Sequence, residues 1–247
     1  MIRILKDVLV AFQFLTRLPV PKVEYTPDAL ARSACFFPLV GVVVGAFACL
    51  VHYLLRNHLP ASFVVSAVLL STVLITGALH EDGFADVADA FGGGWNREQV
   101  LTILKDSRIG SYGTLAIVFS FTTKLILLFY LPERRFAAFV ICAQMLCRWT
   151  ALPLGYFLHP ARGEAGQGAR IGGKLPIGRV IFGTLLMAIV VIYFLRFQSW
   201  IPMLTAIAIT AVTGLYYKNR IGGITGDCFG ATNQLTEIAV YLCGVWH

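Results

Sequence analysis

Residues 36–55 spell FFPLVGVVVGAFACLVHYLL, twenty residues without Asp, Glu, Lys or Arg. A helix that crosses a lipid bilayer needs about 20 mostly apolar residues, so this stretch predicts a transmembrane helix. Gly41 and Gly45 lie four residues apart within it, a spacing that lets two membrane helices pack closely. The stretch therefore indicates an integral membrane protein rather than a soluble domain.

The composition of the whole chain supports this class. Of its 247 residues, 57% are apolar and 13% are charged, whereas soluble domains average about 45–50% apolar and about 25% charged residues. Disordered, collagen-like and coiled-coil chains are excluded by the same composition. The net charge of +7 would suggest nucleic-acid binding in a soluble protein, but here it indicates basic loops on one membrane side. The six cysteines form no CxxC pair and are interpreted as buried small hydrophobes.

The predicted fold is a single all-α membrane domain over residues 1–247, a bundle of about seven transmembrane helices. The segment Asp7–Leu18 is too short to span, and its apolar spacing predicts an N-terminal amphipathic helix at the membrane interface. The sequence leaves the oligomeric state open, a homo-oligomer included. The predicted spans are 36–55, 62–79, 113–131, 136–158, 180–195, 201–217 and 230–246.

The basic residues of the loops predict the orientation of the bundle. With seven spans, alternate loops carry 14 Lys and Arg on one side and 4 on the other. Because basic loops stay in the cytoplasm, we expect the N-terminus and loops 80–112, 159–179 and 218–229 to be cytoplasmic.

An acidic cluster begins the first of these cytoplasmic loops, 80–112. Residues 80–89 spell HEDGFADVAD, and loop 80–112 holds six of the thirteen acidic residues. Asp82, Asp86 and Asp89 are spaced i, i+4, i+7, which places three carboxylates along one stripe of a helix. Mg²⁺ is commonly held by one or two carboxylates together with substrate phosphates. The stripe therefore predicts a Mg²⁺ site, and the alternative is a solvated helix face.

Two further clusters carry residues suited to phosphate chemistry. Lys105, Asp106 and Arg108 precede Gly110, and Arg and Lys both bind phosphate oxygens. The alternative for this cluster is a basic patch that faces anionic lipid.

The second of these clusters precedes the last predicted span. There, Gly226 and Asn233 are candidates for phosphate contacts, and glycine lets the backbone approach a ligand closely. Asp227 is a candidate for a further metal ligand.

Three charged residues fall within predicted spans, and Arg162 stands in a basic, glycine-rich loop. Glu237, Lys124 and Arg148 lie inside spans, where ionisable groups are costly. Glu237 is either functional or an ion-pair partner of Lys124 or Arg148, and the two cations are interpreted as counter-ions. Arg162 lies in loop 159–179, which is predicted to be either a mobile lid over an anionic substrate or a disordered cytoplasmic loop.

These motifs together resemble the cobalamin synthase (adenosylcobinamide-GDP ribazoletransferase) family, nearly end to end. Two positions depart from its pattern: Ala90 stands where Gly is frequent, and Gln234 stands where Glu is expected, so Gln234 is left out of the metal site. The resemblance rests on residues 80–89, Lys105–Gly110, Gly226-Asp227 with Gly230 and Glu237, Phe14–Pro19, Pro38–Gly41, and Arg162 with Gly166 and Gly168.

The resemblance implies the last assembly step of vitamin B12 in the bacterial inner membrane, with Mg²⁺ as cofactor. The ribose 3′-hydroxyl of α-ribazole, or of its 5′-phosphate, would attack the cobinamide-side phosphorus of adenosylcobinamide-GDP and release GMP.

The same resemblance assigns roles to the residues of the clusters. Asp82, Asp86, Asp89 and Asp227 would hold Mg²⁺, and Lys105 and Arg108 would hold phosphate oxygens. Either Asp106 or His80 would accept the hydroxyl proton, and a carboxylate is preferred because His80 could instead orient Asp82.

Two other functions fit parts of the sequence. A CDP-alcohol phosphotransferase-like lipid synthase also uses clustered aspartates, but its tighter aspartate run with an Ala-Arg pair is not found here. A transporter would explain charges within spans, but it predicts inverted repeats, and no convincing repeat is seen.

Overall fold

The computed structural model describes residues 2–23, 26–162 and 171–246. These residues form twelve α-helices and short 3₁₀ turns, with an isolated bridge between Pro160 and Ile224 in place of any sheet in the described ranges. The helices are α1 (Ile2–Leu15), α2 (Pro27–Ser33), α3 (Phe37–Leu55), α4 (Ala61–Thr76), α5 (Leu79–Gly93), α6 (Arg97–Ile103), α7 (Ser111–Tyr130), α8 (Glu133–Trp149), α9 (Ala151–Phe157), α10 (Ile177–Leu195), α11 (Trp200–Ile221) and α12 (Gly226–Val245).

The predicted all-α membrane fold is confirmed. Within the described ranges, five helical segments are long and apolar enough to cross a membrane, and α4 with α5 adds a sixth if that bent pair counts as one span. The number seven stays a prediction, because α12 carries a run of buried polar residues and α4 has only 16 residues. The five segments are Asp28–Leu55, Ser111–Tyr130, Glu133–Phe157, Ile177–Gln198 and Trp200–Ile221.

The predicted N-terminal amphipathic helix is present as α1, which begins and ends earlier than residues 7–18. Ile4 and Leu5 are exposed on it, whereas Asp7 is buried. Asp7 lies 3.6 Å from Arg32 and 3.2 Å from Arg179, so α1 is tied to α2 and α10. Its place at the membrane interface stays a prediction.

The centre of the bundle is the contact between α3 and α8. A β-carbon on Gly41 would overlap the carbonyl of Gln144, and one on Gly45 would lie 2.7 Å from the α-carbon of Ile141. The two glycines therefore allow the backbones of α3 and α8 to touch, as their spacing predicts.

A sharp elbow separates α4 from α5. Gly77 and Ala78 both have left-handed backbone conformations, with φ of 67° and 59°, and the two helices meet at 89°. Only glycine adopts such a φ without strain, so Ala78 is held there by its surroundings. The elbow ends α4 and turns the acidic stretch at 80–89 across the end of the bundle.

Candidate active site

A cavity of about 370 Å³ lies beside α5 and the start of α12. Its walls combine apolar residues of α1, α3 and α9 with polar residues from α5, α8 and α12. Those polar residues include both acids and bases, which suits a ligand with charged and apolar parts. The polar lining residues are His80, Asp82, Arg148, Thr150, Arg162, Thr225, Asp227 and Asn233.

Two glycines bring the acidic stretch of α5 against α12. A β-carbon on Gly83 would lie 2.9 Å from the carbonyl oxygen of Asp227, and one on Gly230 would lie 3.0 Å from that of His80. The two helices therefore touch backbone to backbone. This contact joins Asp82 to Asp227 on the same cavity, although 145 residues separate them in the chain.

The carboxylates of α5 and Asp227 form one negative region. Residues 80–93 of α5 belong to the predicted cytoplasmic loop 80–112, and Asp227 belongs to the predicted loop 218–229, both outside the predicted spans. Burial, followed by the charges of Asp227, Asp82 and Asp89, raises the pKa of Asp86 to about 6. Burial also raises the pKa of Asp227, against the opposing effects of the Thr225 hydroxyl and Arg162. Carboxylates that raise one another's pKa would be stabilised by a bound cation.

Asp89 has a different environment from the other acidic residues of α5. One carboxylate oxygen accepts a hydrogen bond from the amide of Gly110 at 2.7 Å, and the other accepts one from the amide of Gly113 at 2.9 Å. These amides belong to the open N-terminus of α7, where carboxylates are stabilising. Asp89 therefore joins α5 to α7, and its predicted role as a metal ligand stays a prediction.

The cluster around Arg108 lies on an exposed loop, and its side chains are not among those that line the cavity. Arg108 Nε and Nη2 donate to the two oxygens of Asp106 at 3.0 and 2.7 Å, and the Arg108 side chain is 87% exposed. This hydrogen-bonded pair lowers the pKa of Asp106 to about 2. The structure thus does not bring Lys105, Asp106 or Arg108 together with Asp82 and Asp227.

The segment before the glycine-rich loop is fixed beside the start of α12. The Ala161 amide donates to the Ile224 carbonyl, and the Ile224 amide donates to the His159 carbonyl, both at 2.9 Å. Arg162 Nη2 donates to the Leu101 carbonyl at 2.6 Å, and its buried Nε has no hydrogen-bond partner among the described residues. Arg162 therefore reaches the cavity as predicted, whereas Gly166 and Gly168 lie outside the described residues.

The remaining predicted residues of α12 also reach the cavity. Gly226 is the first residue of the helix, and Asn233 lies two turns further on, buried at 3% exposure. Both line the cavity on the same wall as Asp227. The clusters at residues 80–89 and 226–233, distant in the chain, thus meet at one site.

Comparison with known protein families identifies the family of this chain. A family model described as cobalamin-5-phosphate synthase matches residues 7–245. The chain belongs to this family.

Curated proteins named adenosylcobinamide-GDP ribazoletransferase are similar to this family member along nearly its whole length. The protein of Clostridium botulinum (strain Langeland) is 35% identical over 241 residues, which cover 97% of each chain. That of Leptospira interrogans is 36% identical and covers 94% of this chain and 92% of its own. That of Ralstonia nicotianae is 36% identical, with 95% and 93% covered. No solved structure matches the chain.

In this cobalamin-5-phosphate synthase family member, a buried polar network lies next to the cavity. Lys124 Nζ lies 3.3 Å from Glu237 and 3.8 Å from Glu81, and it donates to Gln234 at 2.7 Å. Gln144 Nε2 donates to the other oxygen of Glu237 at 2.8 Å. The predicted ion pair of Glu237 with Lys124 is thus present, and the side-chain oxygen of Gln234 accepts a further hydrogen bond from the same amine.

Arg148 is not paired with a carboxylate, in contrast to its interpretation as a counter-ion. Its Nη1 donates to the side chain and backbone oxygens of Gln144, and no carboxylate of the described residues lies within 4.0 Å of it. Instead, Arg148 lines the cavity. Sequence reasoning could not separate it from Lys124, because both are single cations within predicted spans.

Proposed function

We propose that this chain transfers the adenosylcobinamide phosphate group from adenosylcobinamide-GDP to α-ribazole, or to its 5′-phosphate, with release of GMP. The observation that carries the proposal is the contact of α5 with α12, which places Asp82 and Asp227 with Arg162 on one cavity. Acids and bases on one cavity suit a diphosphate with its metal ion. The relatives' names supply the substrates.

The donor set of the cavity fits Mg²⁺. Within the described residues, no three His, Cys, Asp or Glu side chains are close enough to hold a metal by themselves. Mg²⁺ is suited to such a site, since it keeps several waters and takes one or two carboxylates plus substrate phosphates. We assign its binding to one or two carboxylates among Asp82, Asp86 and Asp227, whose mutual repulsion it would relieve. Asp82 and Asp227 line the cavity, whereas Asp86 lies beside them on α5 and is not part of the lining. When bound, Mg²⁺ supplies positive charge that stabilises the phosphate oxygens in the transition state.

The protein itself must bind the phosphates and take up a proton. The oxygen of the ribose hydroxyl forms the new bond to phosphorus, the bond between that phosphorus and GMP breaks, and the hydroxyl proton passes to a base. We assign the base to His80, which lines the cavity. Burial, followed by the charges of Arg148 and Lys124, holds the pKa of His80 well below its usual 6.5, so its imidazole is unprotonated near neutral pH and open to a proton. Asp106 is the weaker candidate, because it is ion-paired with Arg108 on an exposed loop. Arg162 would hold a phosphate oxygen.

We place this site on the cytoplasmic side of the bacterial inner membrane. The support is the asymmetry of Lys and Arg between alternate loops, which puts the loops that carry the acidic clusters on the basic side. A GDP-linked donor would approach from that side.

The test is GMP release by the purified full-length protein in detergent or liposomes. Adenosylcobinamide-GDP and α-ribazole are supplied with Mg²⁺ or with a chelator, and GMP and the cobalamin product are both quantified. Equal amounts of both products, formed only with Mg²⁺, would support the proposal. A folded protein that forms neither product would contradict it, and CDP-linked lipids would then be the next substrates.

A further inference from the structure

We infer that Arg148 binds a phosphate group of one of the substrates at the floor of the cavity. This inference rests on the proposed function, because that function supplies a phosphate-bearing ligand for the cavity. It adds a substrate-binding residue that the motifs of the sequence do not include.

The first argument is that Arg148 is a buried cation that no carboxylate contacts. Its side chain lies within the segment Glu133–Phe157, which is long and apolar enough to span the membrane, and only 3% of the residue is exposed. A cation in such a place is costly unless an anion accompanies it. No carboxylate of the described residues lies within 4.0 Å of Arg148, and its buried Nε has no hydrogen-bond partner there.

The second argument is the contrast with Lys124, the other cation inside a span. Lys124 is fully buried, pairs with Glu81 and Glu237, and does not line the cavity. The protein thus places both buried carboxylates against Lys124 and leaves Arg148 in contact with the cavity and, among the described residues, with no carboxylate. A ligand that enters the cavity can therefore contact Arg148 but not Lys124.

The third argument is the orientation of the guanidinium. Gln144 accepts from Arg148 Nη1 with its backbone oxygen at 2.8 Å and its side chain oxygen at 2.6 Å. The same Gln144 donates to Glu237, so the neutral amide holds the guanidinium in place through the buried network. A guanidinium held at one nitrogen keeps other N–H groups for a phosphate, which Arg binds in a planar fork.

The phosphate could come from either substrate. The donor carries a diphosphate, and one of the two acceptors carries a 5′-phosphate. The chemistry that Arg148 recognises is the same in both cases, so the experiment must separate the sources.

The experiment compares Arg148→Gln and Arg148→Lys with the wild-type protein and with Arg134→Gln. Arg134 lies exposed at the other end of α8 and serves as the control. Values of kcat and KM are measured with α-ribazole and with α-ribazole 5′-phosphate. A second readout is equilibrium binding of inorganic pyrophosphate and inorganic phosphate in the presence of Mg²⁺, without turnover.

We expect Arg148→Gln to lower kcat/KM by about 10- to 100-fold, the range for a hydrogen bond to a charged group, and to weaken pyrophosphate binding. Arg148→Lys should recover part of the loss, because it keeps the charge without the fork. Equal losses with both acceptors would assign Arg148 to the donor diphosphate. A loss confined to α-ribazole 5′-phosphate would assign it to the acceptor.

Two results would overturn the inference. One is a folded Arg148→Gln protein with unchanged kcat/KM for both acceptors. The other is unchanged pyrophosphate and phosphate binding in Arg148→Gln or, should that variant not fold, in Arg148→Lys. If the wild-type protein releases no GMP, the proposed function fails instead, and the binding readout alone decides the role of Arg148.

Discussion

Gly83 lies directly against the backbone of Asp227, with room for no side chain between them: a β-carbon on Gly83 would be 2.9 Å from the Asp227 carbonyl oxygen. The carboxylates on either side of this contact come from α5 and α12. Their proximity therefore depends on how closely two helices approach, and not only on which residues they carry.

Replacing Gly83 with alanine tests this dependence. The added methyl group must push α5 away from α12, because the obstructing atoms belong to backbone rather than to a flexible side chain. We expect Gly83→Ala to lose most of its GMP release while the protein still inserts and purifies. Gly178→Ala is the matched control, since a β-carbon there meets nothing within 4 Å. Wild-type turnover by Gly83→Ala would show that the helix contact is unimportant to the site.

Substitution of the α5 carboxylates tests the proposed metal site. Asp82→Asn and Asp86→Asn keep the side chain size and remove the negative charge. We expect each to reduce turnover by about 100-fold or more, the scale for loss of a major electrostatic contribution to the transition state. The melting temperature should not fall, because removing one of several repelling carboxylates relieves strain. Retained turnover in both variants, at any Mg²⁺ concentration, would contradict the site.

The buried ion pair predicts a stability effect at Lys124. Lys124→Met leaves Glu81 and Glu237 buried without their cation, which costs about 3–5 kcal/mol in similar cases. We expect a clearly lower melting temperature in detergent, partly recovered when Glu237→Gln is added. The exposed pair of Arg56 with Glu133 provides the comparison, as Arg56→Gln should change stability by less than about 1 kcal/mol. Equal melting temperatures for Lys124→Met and Arg56→Gln would refute the ion-pair account.

Asp106 distinguishes the sequence-based choice of base from the structural one. Its pKa of about 2, set by Arg108, keeps it ionised above roughly pH 3, so it is a weak proton acceptor and adds no inflection between pH 5 and 9. We expect Asp106→Asn to retain most of the turnover with an unchanged pH profile, and His80→Gln to lose it. Loss of turnover in Asp106→Asn alone would return the role of base to Asp106.

The sequence predicts much of this architecture, because apolar runs are local features. Each predicted span overlaps an observed helix, although 62–79 runs past the end of α4 and 136–158 covers both α8 and α9. The contact at Gly41 and Gly45 follows from their spacing alone. The elbow at Gly77 and Ala78 was not predicted, since Ala78 gives no sign of its left-handed conformation. Without that elbow, the apolar run at 62–79 predicts one straight helix, and the direction of α5 cannot be derived from it.

The site was predicted in part for a similar reason. Several of the predicted residues line one cavity, among them Asp82, Asp227, Arg162, Gly226 and Asn233. They could be named in advance because clusters of acidic residues and glycines are recognisable in the sequence itself. The separation of Lys105, Asp106 and Arg108 from that cavity depends on the path of an exposed loop. The pairing of Lys124 rather than Arg148 depends on tertiary contacts with Glu81 and Glu237, which no local pattern encodes.

The most direct test of the central claim is turnover by Asp227→Asn, measured beside the wild-type protein as GMP released from adenosylcobinamide-GDP with α-ribazole and Mg²⁺. Asp28→Asn, an exposed aspartate on α2, is the matched control. If α5 and α12 together form the active site, Asp227→Asn folds but releases almost no GMP, whereas Asp28→Asn behaves as wild type. Full GMP release by Asp227→Asn would contradict the account.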